Sequence, residues 1–334
     1  MQHQRIKFIT QHEKTVKVIK IIEVLAEFGA GKRGASLGID ALHYAGIEKG
    51  SNLFKKYNPE RITLEHSTSF SNPTTPNAKY IDRITEVVEK LSKKIAKTIE
   101  EDYFPIVIAG DHSTAYGTIT GIKTSHPEKK LGLIWIDAHA DLHTPYTSPS
   151  GNVHGMPVAA AAGIDNLDQK RNNILPETKE AWEKLKSSGG INPKINLSDV
   201  VIIGGRSIEP EEESLIREYG IKNFTVKEVN KDGAKSIAEQ ALKQLDHCDI
   251  IHVSFDVDSL DVSISEGTGT PVPGGLTLEE AMTINHTLVN NSKVCCWEIV
   301  EINPLLEEGN TMARVNFGIL ENVIETIDKR INNE

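Results

Sequence analysis

Cysteine is scarce in this sequence, three residues in 334, and that scarcity excludes a disulfide framework of the kind that holds small secreted folds together. Cys295 and Cys296 are neighbours on an apolar run whose side chains alternate between opposite faces, and Cys248 stands apart from them. No Cys-x-x-Cys or Cys/His spacing suggests a zinc site or a nucleophile, so all three read as small buried apolar residues. Long hydrophobic runs are missing too: none reaches the roughly 18 to 20 residues needed to cross a bilayer. Nor is there an excess of positive charge. Lys and Arg number 37 against 47 Asp and Glu, and a formal charge of −10 gives no general attraction for nucleic acid or an anionic membrane. The opening residues, Met1-Gln-His-Gln-Arg-Ile-Lys7, lead into no secretory segment. The expectation is a soluble, cytoplasmic protein without a nucleic-acid or membrane partner.

What is present is a large apolar complement, 38% of the chain, enough to bury a substantial core. Short β-branched runs recur at residues 18–25, 106–109, 131–136, 200–203, 250–255 and 294–300, and such runs suit strands buried on both faces. Between them, Ile81, Ile84, Val88, Leu91, Ile95 and Ile99 follow helical spacing over 80–100, as do Ile237, Ala241, Leu242 and Leu245. Thr277-Leu-Glu-Glu280 forms a capping box ahead of 281–289, and Met312, Val315, Ile319, Val323 and Ile327 mark a closing helix. The alternation predicts an α/β fold with a mainly parallel sheet covered by helices. Residues 144–155 and 163–196 are rich in Pro, Gly, Ser, Asn and charge and read as loops, with a short helix near 178–186. Neither has the make-up of a domain linker, so a single domain is expected over 1–334.

Four of the apolar runs are followed at once by acidic residues or histidine: Gly110-Asp111-His112, Asp137-Ala-His139-Ala-Asp141, Asp256-Val-Asp258 and Glu301. Ligands in open parallel sheets gather at the carboxyl ends of strands, so these positions converge on one crevice. In extended backbone, Asp137, His139 and Asp141 project from one face, and so do Asp256 and Asp258. With His112, the set is four carboxylates and two imidazoles. Carboxylates packed together repel and raise one another's pKa unless cations neutralise them, and two divalent ions carry the matching charge. Oxygen-rich ligation without thiolate suits manganese or magnesium, the imidazoles favour manganese, and Co2+, Ni2+ or Zn2+ are possible substitutes. A lone Asp-x-His suits a capped turn and a lone Asp-x-Asp a solvated loop. Together, each directly after a buried strand, they have no structural use, because an apolar strand end gains nothing from clustered charge.

Of the remaining histidines, His154 in Ser150-Gly-Asn-Val-His154-Gly lies in a loop able to overhang the crevice. His252 shares strand parity with Asp256 but lies deeper, and reads as a core histidine with its own partner. His43, His126, His247 and His286 look peripheral. Glu211-Glu212-Glu213 reads as a solvated helix start, Glu212 included.

These residues resemble the ureohydrolase family of arginase, agmatinase and formimidoylglutamase, with the nearest match to arginases. The stretches that carry the resemblance are Gly110-Asp-His-Ser113, Asp137-Ala-His-Ala-Asp141, Ser150-Gly-Asn-Val-His-Gly155, Ser254-Phe-Asp-Val-Asp-Ser-Leu-Asp261, Gly269-Thr-Pro271 and Glu301-Ile-Asn-Pro304, and Glu27-Phe-Gly-Ala-Gly-Lys-Arg-Gly34 looks like the opening loop of bacterial members. The resemblance implies a three-layer α/β/α fold around about eight mainly parallel strands, two Mn2+ per subunit, and a homotrimer or homohexamer. It implies one metal on His112, Asp137, Asp141 and Asp256 and a second on Asp137, His139, Asp256 and Asp258. The implied reaction is hydrolysis of L-arginine to L-ornithine and urea by a hydroxide between the ions, with Asp141, His154 and Glu301 as catalytic residues. His143, Ser150, Asn152, Glu209 and Thr268 are the implied substrate-binding set. Where family members carry Asn and Asp, this chain has His143 and Glu209, and Ser207 replaces another usual Asp. Those departures concern the tail of the substrate.

Three other readings compete. A sister activity on agmatine or another guanidino or formimino compound is opposed by the arginase-like Ser150–His154 loop. An inactive metal-binding regulatory subunit would have lost ligands, and none is lost here. A binuclear phosphoesterase wants basic groups beside the metals, and only Arg206 and Lys32-Arg33 are candidates.

Overall fold

The computed structural model describes residues 18–64 and 72–332; the opening residues read above lie outside them. Among the described residues are eight strands: β1 (Ile19–Leu25), β2 (Glu60–Thr63), β3 (Phe104–Ala109), β4 (Leu131–Ile136), β5 (Val200–Ile203), β6 (Lys222–Phe224), β7 (Ile250–Asp256) and β8 (Val294–Val300). They form one sheet in the order β2-β1-β3-β8-β7-β4-β5-β6, and every pairing is parallel. Central strands β3, β4 and β7 are buried along their whole length, the burial that their unbroken apolar sequence demands.

Alternate residues of the inner strands feed two cores, one on each face. Ile106 and Ile108 of β3 join Leu42, Ile237, Ile284 and Leu320 from helices Gly38–Lys49, Ala234–Gln244, Leu278–Val289 and Thr311–Asn332. Val107 and Ala109 face the other way, onto Leu91, Ile119 and Trp182 from Ile81–Glu100, Ala115–Ser125 and Pro176–Lys186. The period of two in the strands and of 3.6 in the helices thus closes a helix–sheet–helix arrangement. The capping box at Thr277 is formed, with its hydroxyl accepting from Glu280 N. Cys296 is buried and Cys295 half-buried on β8, as their alternation requires.

Edge strands β2 and β6 were not foreseen. Their sequences, Glu-Arg-Ile-Thr and Lys-Asn-Phe, hold one large apolar residue apiece, because each pairs on one side only and leaves residues half-exposed. Helices Gly38–Lys49 and Ala115–Ser125 also fall outside the predicted set, while the helix start read at Glu211 is present as Pro210–Tyr219.

Register decides where the site lies. Ile136 is opposite Phe255, Asp256 opposite Val300 and Ile108 opposite Ile299. The four middle strands, β3-β8-β7-β4, therefore end at nearly one level, and the residues after them emerge side by side.

Candidate metal centre

At that level β3 runs into Gly110-Asp111-His112, β4 into Asp137, β7 ends on Asp256, and β8 passes to Glu301. Gly110 is required: a Cβ there would lie 2.0 Å from the carbonyl oxygen of Ala26. All six residues selected as metal ligands come together. His112 Nδ1 is 3.1 Å from Asp137 Oδ2, 3.2 Å from Asp141 Oδ2 and 3.1 Å from Asp256 Oδ2. His139 Nδ1 forms a second focus, 3.4 Å from Asp137 Oδ1 and 3.1 Å from Asp258 Oδ2. Asp137 turns one oxygen to each focus.

The backbone achieves this differently from the expected extended alternation. β4 stops at Ile136, and Asp137 Oδ1 accepts from His139 N at 2.7 Å. Likewise Asp256 Oδ1 accepts from Asp258 N at 2.8 Å. A carboxylate bonded to the amide two residues on curls the chain, so turns, not strand pleats, gather the side chains. Asp141 and Glu301 both hold positive φ, 52° and 68°, backbone strain of about 1–3 kcal/mol each that persists where surrounding structure enforces it.

The cluster holds no lysine or arginine, only imidazoles among its carboxylates. Burial, then the charge of Asp137, pushes Asp141 up to about 7. Burial and neighbouring carboxylates raise Asp256 well above the usual range and raise Asp258 as well. Burial opposes protonation of the imidazoles, yet the carboxylates beside them prevail, driving His139 up to about 12 and His112 well above its ordinary value. Asp137 is held low despite burial by the two imidazoles flanking it. His112 Nδ1 and Asp137 Oδ2 are buried without a well-formed hydrogen bond among the described residues. One nitrogen and three oxygens converging without bonding one another have the arrangement of ligands around a cation. His112, Asp137 and Asp141 could hold one ion, and Asp137, His139 and Asp258 another. The donor set, rich in oxygen and free of thiolate, fits manganese.

Behind the cluster His112 Nε2 meets Ser254 Oγ at 2.8 Å. Glu298, fully buried, contacts His252 Nε2 through Oε1 at 3.0 Å and accepts from Thr118 Oγ1 through Oε2 at 2.8 Å. His252 is thus a core histidine with its own partner, as its depth on the strand predicted. Ser254 and Glu298 were missed. A glutamate inside the apolar 294–300 run, and a serine sharing parity with Asp256, were the signals that could have found them.

In front of the cluster is a cleft of about 270 Å³. A wider groove of about 770 Å³, lined by residues such as Lys235, Glu239 and His286, lies away from these groups. His143, Ser150, Asn152, His154 and Glu209 line the cleft, as do Ser207 and Glu212. His154 Nδ1 lies 3.0 Å from Glu301 Oε1. Burial works against its protonation, but Glu301 prevails and His154 is pushed up to about 9. Burial would raise Glu301; His154 holds it below the usual range. Glu301 Oε1 also accepts from His112 N at 3.0 Å, while Oε2 is buried without a hydrogen-bond partner among the described residues.

Two expectations about the tail end need correcting. Glu212 is not solvated: it is 3% exposed and accepts from Leu142 N and Glu209 N, both at 3.0 Å. The helix from Pro210 starts against the sheet's carboxyl edge, so its third residue turns inward. Thr268 is buried and absent from the cleft lining; Thr270 takes that place, its hydroxyl 3.0 Å from Asp258 Oδ2. His143 Nε2 faces two carboxylates, 3.5 Å from Glu209 and 3.8 Å from Glu212. Of the basic groups a phosphoesterase would need, both arginines are engaged elsewhere, and Lys32 is exposed and absent from the cleft lining. Arg206 donates to the carbonyls of Asp258 and Val272 at 2.8 and 2.7 Å, and Arg33 to that of Glu27.

Fold and site together define an α/β protein with a carboxylate–imidazole centre at the carboxyl edge of a parallel sheet. The model of the arginase family matches residues 18–324. An arginase of Brevibacillus brevis is 36% identical over 92% of this chain and 97% of its own length. The arginase of Bacillus subtilis strain 168 is 34% identical over 92% and 98%. The native structure of Bacillus caldovelox arginase superposes with a TM-score of 0.79 at 35% identity, covering 92% of this chain and 98% of that one. The chain belongs to the arginase family and is a hydrolase of a guanidino carbon–nitrogen bond. Among the described residues no helix is long and apolar enough to cross a membrane.

Proposed function

We propose that the protein hydrolyses L-arginine to L-ornithine and urea with two manganese ions bound by His112, Asp137, Asp141, Asp256, His139 and Asp258. The observation that carries the reading is Asp137 standing between two imidazole foci, one oxygen to each, at the base of a cleft whose rim includes Ser150, Asn152, Glu209 and Glu212. Relatives named arginase, covered almost end to end, supply the substrate.

When bound, two divalent ions supply the Lewis-acid charge that makes water nucleophilic near neutral pH. The chain's own groups do the rest. Glu301 Oε2, an acceptor without a partner among the described residues, receives a guanidinium N–H and orients the substrate carbon. Asp141 accepts the hydrogen bond of the attacking oxygen. His154 gives its proton to the departing amine; Glu301 at 3.0 Å keeps that imidazole protonated until it is needed. Burial of the site excludes bulk water and strengthens each of these contacts.

The test is urea release by manganese-loaded protein from L-arginine and agmatine side by side, with a chelated control. Urea from arginine is expected. Urea from agmatine alone would overturn the substrate but keep the chemistry, and silence on both would turn the assay to other guanidino or formimino compounds before an inactive regulatory subunit is accepted. Asp137→Asn should lose metal and activity together; retention of both metals with full turnover would sink the ligand assignment. The same reading carries a homotrimer or homohexamer, which light scattering of the purified protein measures.

A further inference from the structure

We propose that Lys79 determines specificity by supplying positive charge for the substrate's α-carboxylate, an inference that rests on the arginine reading above. Among the described residues lining the cleft none is Lys or Arg, whereas Asp141, Asp256, Asp258, Glu209 and Glu212 are all acidic. A further cation near the tail of the substrate offsets the repulsion these acids present to a carboxylate. The half-buried ammonium of Lys79 is 3.2 Å from Asn152 Oδ1, directly behind the lining.

Lys79 reaches that place through a segment clamped onto the Ser150–Asn152 loop. Its own N–H donates to Gly151 O at 2.8 Å. Gly151 adopts φ 72°, and a Cβ on it would lie 2.0 Å from the carbonyl oxygen of Pro76, so the two backbones touch only because residue 151 is glycine. On its other side Asn152 rests on Gly31, where a Cβ would come within 2.5 Å of Nδ2. Two chain segments, at Gly31 and at Lys79, thus hold the Asn152 amide, and Lys79 occupies its oxygen. Arg171 does not serve the same end: it stands 3.1 Å from Glu211 and 3.8 Å from Glu209. An ammonium behind the wall at Asn152 thus stands with carboxylates on the wall at Glu209 and Glu212, a charge pattern complementary to a zwitterionic α-amino acid and not to its decarboxylated amine.

The experiment compares wild type, Lys79→Met and Lys79→Arg as full-length, manganese-loaded proteins. KM and kcat are measured on L-arginine, and inhibition constants for L-ornithine and for putrescine, which lacks the carboxylate. In Lys79→Met the KM for L-arginine and the inhibition constant of L-ornithine should rise about 10-fold or more, the loss of a charge-assisted contact. Its kcat and the putrescine constant should stay within about two-fold, and Lys79→Arg should recover most of the loss. A Lys79→Met KM equal to wild type, or putrescine weakened as much as ornithine, overturns the role of Lys79 alone. Wild-type protein that releases no urea from L-arginine overturns the substrate reading beneath it.

Discussion

His112 Nε2 lies 2.8 Å from the hydroxyl oxygen of Ser254, and this contact decides which face of the imidazole is offered to a cation. Glu298 is held below the usual carboxylate range in spite of burial, chiefly by His252 and in part by Ser254. An ionised Glu298 accepts the Ser254 hydroxyl proton, so the serine oxygen must accept from His112 Nε2–H. Nε2 thus keeps its proton, and Nδ1, facing Asp137, Asp141 and Asp256, is the nitrogen that would give up its proton to a cation. Ser254→Ala is expected to lower manganese affinity roughly 10- to 100-fold by freeing the tautomer. Titration against a competing chelator measures it, and unchanged affinity would refute the orienting role.

His154→Ala should leave manganese content intact while slowing turnover by roughly 10²- to 10⁴-fold, the usual effect of removing a general acid. Metal analysis and steady-state kinetics on one preparation separate the two. Loss of metal along with rate would make His154 part of the binding shell instead, and an unchanged rate would remove it from the mechanism.

Removing the metal should cost stability as well as activity. Stripped of cations, the four aspartates keep the burial and, after it, the mutual repulsion that raise Asp141, Asp256 and Asp258. Manganese at 100 times its dissociation constant stabilises by about 2.7 kcal/mol per site. Thermal unfolding should fall with chelator and recover with Mn2+; a midpoint indifferent to both would argue against a resident ion.

Asp261 gives a prediction in pH. Hydrogen bonds from Ser263, Gly274 and Gly275 hold its carboxylate down to about 2, and its Oδ2 accepts from Gly274 N at 2.7 Å and Gly275 N at 2.9 Å. The folded-state value is depressed, so the stabilisation is present above the ordinary carboxylate value and lost as pH falls through about 2. Asp261→Ala should therefore show a constant deficit in urea midpoint above about pH 4, shrinking as pH drops towards 2. A deficit that persists undiminished at pH 2 would place its cause in packing.

Much of this was legible because buried strands and their polar ends are local signals. Residues 106–109, 131–136 and 250–255 had to be interior strands, and charge placed directly after them had no structural use. Edge strands Glu60–Thr63 and Lys222–Phe224 were illegible, since a strand paired on one side carries no strong apolar pattern. Glu212 looked solvated because a run of three glutamates carries no mark of which one faces inward.

The sequence by itself determined the chemistry of the centre: four carboxylates, two imidazoles and no thiolate, tied to strand ends by short spacing. Tertiary structure alone decided the order β3-β8-β7-β4, which makes neighbours of His112, Glu301, Asp256 and Asp137 across nearly two hundred residues of chain. It also decided that Lys79 stands behind Asn152 and that Thr270, not Thr268, faces the cleft. Side-chain identity is written residue by residue, whereas adjacency comes from packing a whole sheet between two helical layers, a global balance of burial that no local pattern encodes.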